Sequence, residues 1–312
     1  VNAFLENIMR FKSVGMRVVF IVVVLLKSIA FAQEMPEEKP KEEPKYGWQK
    51  EMVGGINLTQ TSFSNWTQGG ENSFAWQFNL NFRFENEKKK TNWANSGKFT
   101  YGATKLGEQG LRKSLDEIKV ESVFTYKLNA HVNPFAAATG ETQFGPGYNY
   151  ETEQKTQISG FFDPAYFRES FGMGFKPNKI VRTRLGLALK QTITSDFPIP
   201  YADDPDTVEK VEKFKNEAGL ESVTDVNWKV SKKTLFISKL ELFYNFETLN
   251  RTDVRWDNVL TVELTKHLNV NFNFKLLYDR DISSRRQIMQ SIALGLIYNF
   301  LGEELTRPES SL

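Results

Sequence analysis

His131 and His267 are the only two histidines of the chain. A Ser/His/acid set, such as a membrane phospholipase uses, needs a base within reach of a nucleophile and an acid to orient it. Neither histidine stands in a motif with hydrolase spacing, and serines are too common for a neighbour to count. A phosphate-cradling glycine loop, an H-E-x-x-H pair and a dinucleotide fingerprint are all missing. Cysteine is absent, which removes disulfides and thiolate metal sites. The residues argue against an enzyme and against a bound cofactor. Asp196, Asp203, Asp204, Asp206 and Glu209 cluster within one stretch. Their hard oxygens could hold Ca²⁺. The spacing fits no EF-hand, so a solvated acidic loop is the plainer reading and no metal site is expected.

Charge recurring at every second position is the more telling pattern. Arg83, Lys119, Lys127, Arg168, Arg182, Arg184, Lys190, Lys239 and Lys275 each sit on the polar face of an alternating segment. Glu121, Glu241 and Glu263 share those faces. If the faces line a pore, its wall is net positive and should favour anions. If they fill a narrow lumen instead, Arg–Glu pairs would cross-brace the wall, because side chains fill small barrels.

The elements that carry these residues are strands. Ser73–Phe84 reads SFAWQFNLNFRF, with Phe74, Trp76, Phe78, Leu80, Phe82 and Phe84 alternating with polar or small residues. That period of two fits a strand and breaks a helix. Twelve residues exceed a usual soluble strand of 5–6 and suit a tilted bilayer crossing of roughly 9–11. Further alternating stretches start near residues 51, 97, 116, 129, 166, 180, 219, 235, 254, 268 and 288. Twelve strands is an even number, as closed bacterial barrels require. Pro134 in the fifth stretch predicts a bulge or a strand start. Glu169 shares parity with Phe167 and Phe171, which predicts a rim position or a bulge.

Connections after the fourth, sixth, eighth and tenth strands are tight, whereas 141–165 and 194–218 are long. Loops sorted to one end in this way belong to an outer-membrane barrel, not to a soluble sandwich. The second connection, 85–96, breaks the rule. Trp76, Tyr244, Trp256 and Tyr278 fall toward the long-loop rim; Tyr126, Trp228, Tyr298 and Phe300 fall toward the turn rim. Two such belts are what interfacial anchoring predicts. Trp66, in the Gly-Gly connection after the first strand, is either a stacking platform for a ligand or part of a tight turn whose ring anchors at the interface or folds into the lumen.

The flanks complete the plan. Arg10, Lys12 and Arg17 precede the apolar run 18–26, and Ala30-Phe31-Ala32 follows. This is the pattern of a signal peptide over 1–32, with export as its consequence. Residues 33–47 are rich in Pro, Glu and Lys and predict a disordered linker. The barrel spans 48–301 and a tail covers 302–312. Net charge is +2, which argues against nucleic acid as a partner. A mean hydropathy of −0.43 excludes a multi-helix membrane protein but not a barrel.

The run from Asn57 to Asn72, NLTQTSFSNWTQGGEN, resembles the first hairpin of a domain-of-unknown-function family. Its members look like outer-membrane proteins of Bacteroidetes-type bacteria. Gly110-Leu111-Arg112-Lys113-Ser114, Thr142–Tyr148, Leu242-Phe243-Tyr244, Asp253–Trp256 and Tyr278-Asp279 echo the same family. The resemblance implies a barrel and its address, and supplies no catalytic residues. The expectation is an all-β, transmembrane, antiparallel up-and-down barrel of about twelve strands in the bacterial outer membrane. Its partners would be the lipid bilayer and the outer-membrane assembly machinery. Its role would be a porin-like channel for small polar solutes, or else a non-conducting barrel that holds a protein partner through its long loops or its linker.

Overall fold

The computed structural model describes residues 46–64, 70–150, 155–203, 210–247, 252–280, 283 and 285–301. The stretches expected to be a signal peptide and a C-terminal tail, almost all of the expected linker, and Trp66, Asp204, Asp206 and Glu209 lie outside the described residues. Long strands dominate the rest. They are β1 (Gly47–Thr61), β2 (Ser73–Glu87), β3 (Thr91–Leu106), β4 (Arg112–Tyr126) and β5 (Val132–Thr142), then β8 (Ala165–Phe175), β9 (Val181–Ile193) and β10 (Phe214–Ser231). β11 (Thr234–Asn245), β12 (Thr252–Glu263), β13 (Leu268–Tyr278) and β14 (Gln287–Leu301) complete the series. All twelve join one closed antiparallel ring, in the order β1-β14-β13-β12-β11-β10-β9-β8-β5-β4-β3-β2. The remaining pair, β6 (Gly147–Asn149) and β7 (Thr156–Ser159), forms a separate two-stranded hairpin in the β5–β8 connection.

Closure leaves each strand with two faces and no free sheet edge along most of its length. One face points out. Phe124, Phe171, Leu185, Leu187, Ile292, Leu296 and Phe300 all stand exposed there. An apolar band of that extent has no place in water. It is the lipid-facing surface of a transmembrane barrel, where every backbone polar group must be satisfied within the ring.

Connections 88–90, 127–131, 176–180, 232–233 and 264–267 close one end of the ring; 107–111, which matches the longest of these, and the longer connections leave the other. The second connection is therefore a tight turn and no exception. β2 runs on to Glu87 and β3 starts at Thr91, with Glu85 opposite Ala94 and Glu87 opposite Asn92. The sequence hides this because both faces turn polar at that rim. Short polar side chains shape these turns. Asn178 Oδ1 accepts the N–H of Ile180 and of Val181 at 2.8 and 2.9 Å. Asn129 does the same for His131 and Val132.

Pro134 sits at a strand start, as expected. β5 pairs with β8 from Val132, but with β4 only from Phe135. The missing proline N–H costs no ladder bond on the side that is still unpaired. Glu169 has no bulge around it: β8 stays in register with both neighbours. It is exposed on the outward face, opposite Leu189, one step from Phe167 opposite Gln191. Gln191 in turn faces Asn216. The outward face thus changes from aliphatic to polar at this level, so Glu169 marks the loop-ward margin of the apolar band.

Gly172 and Gly186 face each other across β8 and β9. A Cβ on Gly172 would lie 2.1 Å from the Leu185 carbonyl oxygen, and one on Gly186 2.4 Å from that of Phe171. Only glycine allows the two backbones this close. The ring closes between β1 and β14, where pairing is confined to Met52–Asn57 against Gly295–Leu301 and carries a bulge at Met52/Val53.

Candidate functional site: a divided lumen

Away from the rims, alternation delivers most polar residues of the strands to the inside. β4 contributes Glu117, Lys119 and Glu121; β9 contributes Arg184 and Lys190; β11 contributes Lys239 and Glu241; β12 contributes Arg255 and Asp257. β4 and β12 stand opposite each other in the ring, and β11 and β13 flank that position. Side chains long enough to cross meet in the middle.

Lys119 Nζ reaches Glu241 at 2.7 Å, and Lys239 Nζ reaches Glu121 at 2.7 Å. Arg184 donates to the second oxygen of Glu121 at 2.5 Å. Arg255 pairs with Glu117 and Glu141 and, at 3.0 Å, with Asp257 on its own strand. Lys275 and Lys98 both lie 3.0 Å from Glu117. Arg168 donates to Glu221 at 2.8 Å and lies 3.8 Å from Glu241. Arg184, Glu221 and Glu241 are buried although they face the inside of a barrel. The result is a continuous lattice of paired charge from one wall to the other.

Nearer the long-loop mouth, Lys190 Nζ sits among Asp253, Asp279 and Glu217 at 2.6, 3.2 and 3.4 Å. Phe243 lies beside it. Its ring packs over Gly219, where a Cβ would meet it at 2.8 Å, and the residue is 1% exposed. Arg168 and Lys190 approach the same ring at 5.8 and 5.6 Å. A cavity of about 180 Å³ remains at this mouth, lined in part by Lys119, Glu141, Tyr166, Arg168, Lys190 and Arg255.

The other half of the lumen is built from short amides and glycine. Gln77 Nε2 donates to Asn79 at 2.6 Å, and Thr100 donates to the same oxygen at 3.2 Å. Asn271 donates to Asn269, and Asn273 to Ser291, each at 3.2 Å. Gly295 lies between Asn57 and Asn269, on whose oxygens a Cβ would close to 2.4 and 2.6 Å. Asn81 points inward and is nevertheless exposed, in the middle of β2. These side chains are too short to span the barrel, so space is left beside β2.

The residues expected on the inner wall fall into these two halves. Lys119, Glu121, Arg168, Arg184, Lys190, Lys239, Glu241 and Lys275 take part in the charged half. Arg182 pairs with Asp225 at 3.3 Å and Arg83 with Glu85 at 2.6 Å. Lys127 pairs with Glu87. Glu263 ends β12 at the turn side. The net-positive wall read from the sequence is not what the ring assembles, because Glu117, Glu141, Glu217, Glu221, Asp225, Asp253 and Asp257 also join the inner ion pairs. Glu141 and Glu217 lie just past strand ends drawn from the sequence, at 140 and 219, and so escaped the count.

On the outside, Trp76, Tyr244, Trp256 and Tyr278 lie toward the long-loop ends of their strands. Tyr126, Trp228, Tyr298 and Phe300 lie toward the turn ends. Trp256 Nε1 donates to Ser238 at 2.9 Å. One aromatic pair went unread: Trp48 and Trp93, both exposed, with ring centroids 6.0 Å apart at the turn rim. Its signal was a tryptophan within the first three residues of each strand, obscured by polar neighbours. His131 and His267 belong to separate turns, and Asp203 uses its carboxylate to accept the Glu212 N–H at 2.9 Å. Among the described residues no group of three His, Cys, Asp or Glu is placed to hold a metal ion.

Residues 58–148 match the model of a family described as "Protein of unknown function (DUF3078)", so the likeness noticed in the first hairpin is that of an uncharacterised family. No curated protein matches. Among solved structures, the translocator domain of autotransporter NalP from Neisseria meningitidis is 10% identical, with 92% of this chain and 98% of that chain covered and a TM-score of 0.37. The COG4313 outer membrane channel from Pseudomonas putida F1 is 10% identical over 85% of this chain and 100% of that one, with a TM-score of 0.40. The Ralstonia pickettii toluene transporter TbuX is 10% identical over 83% and 90%, with a TM-score of 0.30. The transmembrane assignment rests on this chain's own outward face and closed hydrogen bonding.

Proposed function

We propose that the protein is a bacterial outer-membrane barrel that passes small polar solutes along its amide wall, past the ion-pair lattice that fills the other half of the lumen. It would reach that membrane through the export pattern of residues 1–32 and the outer-membrane assembly machinery, and it would work without catalysis or cofactor. One observation carries the reading: Asn81 faces inward and is open to solvent, while Arg184, Lys190 and Glu241 on the facing side are buried. The inner bases stand against acids, which supports weak discrimination by sign of charge. A preference for anions would need an excess of base that the lattice neutralises.

The test is conductance of the purified barrel in planar bilayers. A small, steady conductance with little ion selectivity is expected. Removing the cross-lumen arms in the Lys119→Ala, Arg255→Ala double variant should raise it several-fold. Silence in the native protein and in that variant at every voltage would overturn the channel. The same buried lattice favours a second reading in that event, a non-conducting barrel that holds a protein partner through its long loops.

A further inference from the structure

The connection between β5 and β8 folds outward over the wall and not into the lumen. β5 stops at Thr142, opposite Ile118, so the first residues of β4, 112–117, pair with β3 but have no strand on their β5 side. Asp116 takes over: its carboxylate accepts the N–H groups of Phe144 and Gly145, each at 2.8 Å. Lys113 locks the same corner, donating to Asp116 and Gln143 at 2.9 Å and to the Gly145 carbonyl at 2.8 Å. The loop is thereby laid across the outside of β4 onto β3. Phe144 meets Phe99 and Tyr101 edge-on at 5.6 and 5.8 Å, and both of these belong to the lipid-facing side.

A row of aromatic rings continues from this point. Phe144 meets Phe161 at 6.3 Å, Phe161 meets Phe162 at 6.3 Å, and Phe162 meets Phe167 of the β8 outer face at 6.2 Å. Phe144, Phe161 and Phe162 are 52, 67 and 49% exposed. They do not collapse inward because the backbone is fixed beneath them. Phe162 has a φ of 57°, a left-handed conformation that an aromatic residue seldom adopts. Next to it, buried Asp163 accepts from Thr194 Oγ1 at 2.6 Å and from the Asp196 N–H at 2.7 Å. Those bonds tie this loop to the connection after β9. Three large rings are thus held out, in line with the lipid-facing wall, at the level where Glu169, Gln191 and Asn216 turn that wall polar.

The geometry points to a membrane-seated shelf: Phe144, Phe161 and Phe162 lie in the head-group layer of the leaflet on the long-loop side, with lipid as their occupant. Continuity with the lipid-facing surface through Phe99, Tyr101 and Phe167 identifies that occupant. Rings at the boundary between hydrocarbon and head groups are also where aromatic side chains anchor best.

The chain has no cysteine, so a single Phe161→Cys substitution can carry an environment-sensitive fluorophore. A Gly110→Cys variant, in the exposed connection between β3 and β4, serves as the aqueous reference. Both are reconstituted into phosphatidylethanolamine/phosphatidylglycerol vesicles. One set contains lipid spin-labelled near the glycerol end of the acyl chain; the other receives iodide in the buffer. The label at 161 should be quenched at least twofold more by the spin-labelled lipid than the label at 110, and at least twofold less by iodide. Equal iodide quenching at the two positions would overturn the shelf. So would self-quenching at 161 that grows with the protein-to-lipid ratio, since it would assign the rings to a second copy of the chain.

Discussion

The two sides of the lumen are made from the same alternating pattern and end up in opposite states. On the β4–β12 side the inward residues are Lys, Arg, Glu and Asp, whose arms reach across the barrel and pair. On the β13–β14–β1–β2 side they are mostly Asn, Gln, Ser and Gly, which bond to their immediate neighbours and leave Asn81 open; the exceptions are Lys275, which reaches Glu117, and the Arg83–Glu85 pair near the turn end. Side-chain length, not polarity, separates them. A pattern of polar residues facing inward does not by itself say whether a barrel conducts. What matters is whether opposite charges sit at heights from which they can meet. Their mutual attraction must also offset the loss of water on entering so confined a space.

The largest effect should come from breaking the long side with one cut. Arg255 holds Glu117, Glu141 and Asp257 together. Arg255→Ala leaves these acids facing one another in a confined space, which costs about 3–5 kcal/mol in comparable buried pairs. Unfolding of the barrel, followed by its heat-dependent shift on gels, should move to clearly lower temperature. Replacing both partners at once separates charge from packing. Lys119→Met with Glu241→Met should cost far less than either single change, because apolar substitutes of similar volume leave no orphaned ion. A double-mutant cycle that found the two changes simply additive would sink the claim that this pair acts as a unit.

The short side should respond differently. Gly295→Ala places a methyl against Asn57 and Asn269, an overpacking cost of about 1–3 kcal/mol, with conductance falling as the amides are displaced. Asn81→Trp, in open space, should narrow the passage while leaving stability within about 0.5 kcal/mol of the parent. A stability loss as large as that of Arg255→Ala would erase the distinction between the two sides.

The smallest expected effect lies outside both. Burial works against ionisation of Asp163, but hydrogen bonds from Asp196, Thr194, Ser195 and Phe197 outweigh it and hold its carboxyl below the ordinary aspartate value. A lowered pKa means that the folded form gains stability from the ionised group at neutral pH and loses it only as pH falls through that lowered value. Emission from a fluorophore at Phe161→Cys should therefore hold constant through mild acid and change only below about pH 4, the usual range for aspartate. Adding Asp163→Asn should abolish that acid transition.

Much of the architecture was readable from residue order. Twelve residues of strict alternation in Ser73–Phe84 leave little but a long strand, and the parity of the connections fixes which end carries the loops. The misread connection at 85–96 shows the limit. Where a strand passes out of the bilayer, both faces become polar and the period of two fades, although Trp93 still marks the outer side. The inner lattice was only half legible. Lys119 and Glu241 were both recognisable as inward, yet their meeting depends on how the ring closes and how its strands stagger. Neither can be read from one strand at a time. The outward fold of the β5–β8 connection was not legible either, since it follows from β5 ending short of the top of β4.

The junction of β1 with β14 has a mechanical consequence. Every other joint in the ring links strands that are neighbours along the chain, or nearly so, and can zip up as soon as both have emerged. This last joint brings residues 52–57 against 295–301, so it must wait until the whole sheet has been delivered. It is also a short clasp carrying an irregularity. Pulled sideways, the cylinder should part there before it tears anywhere else.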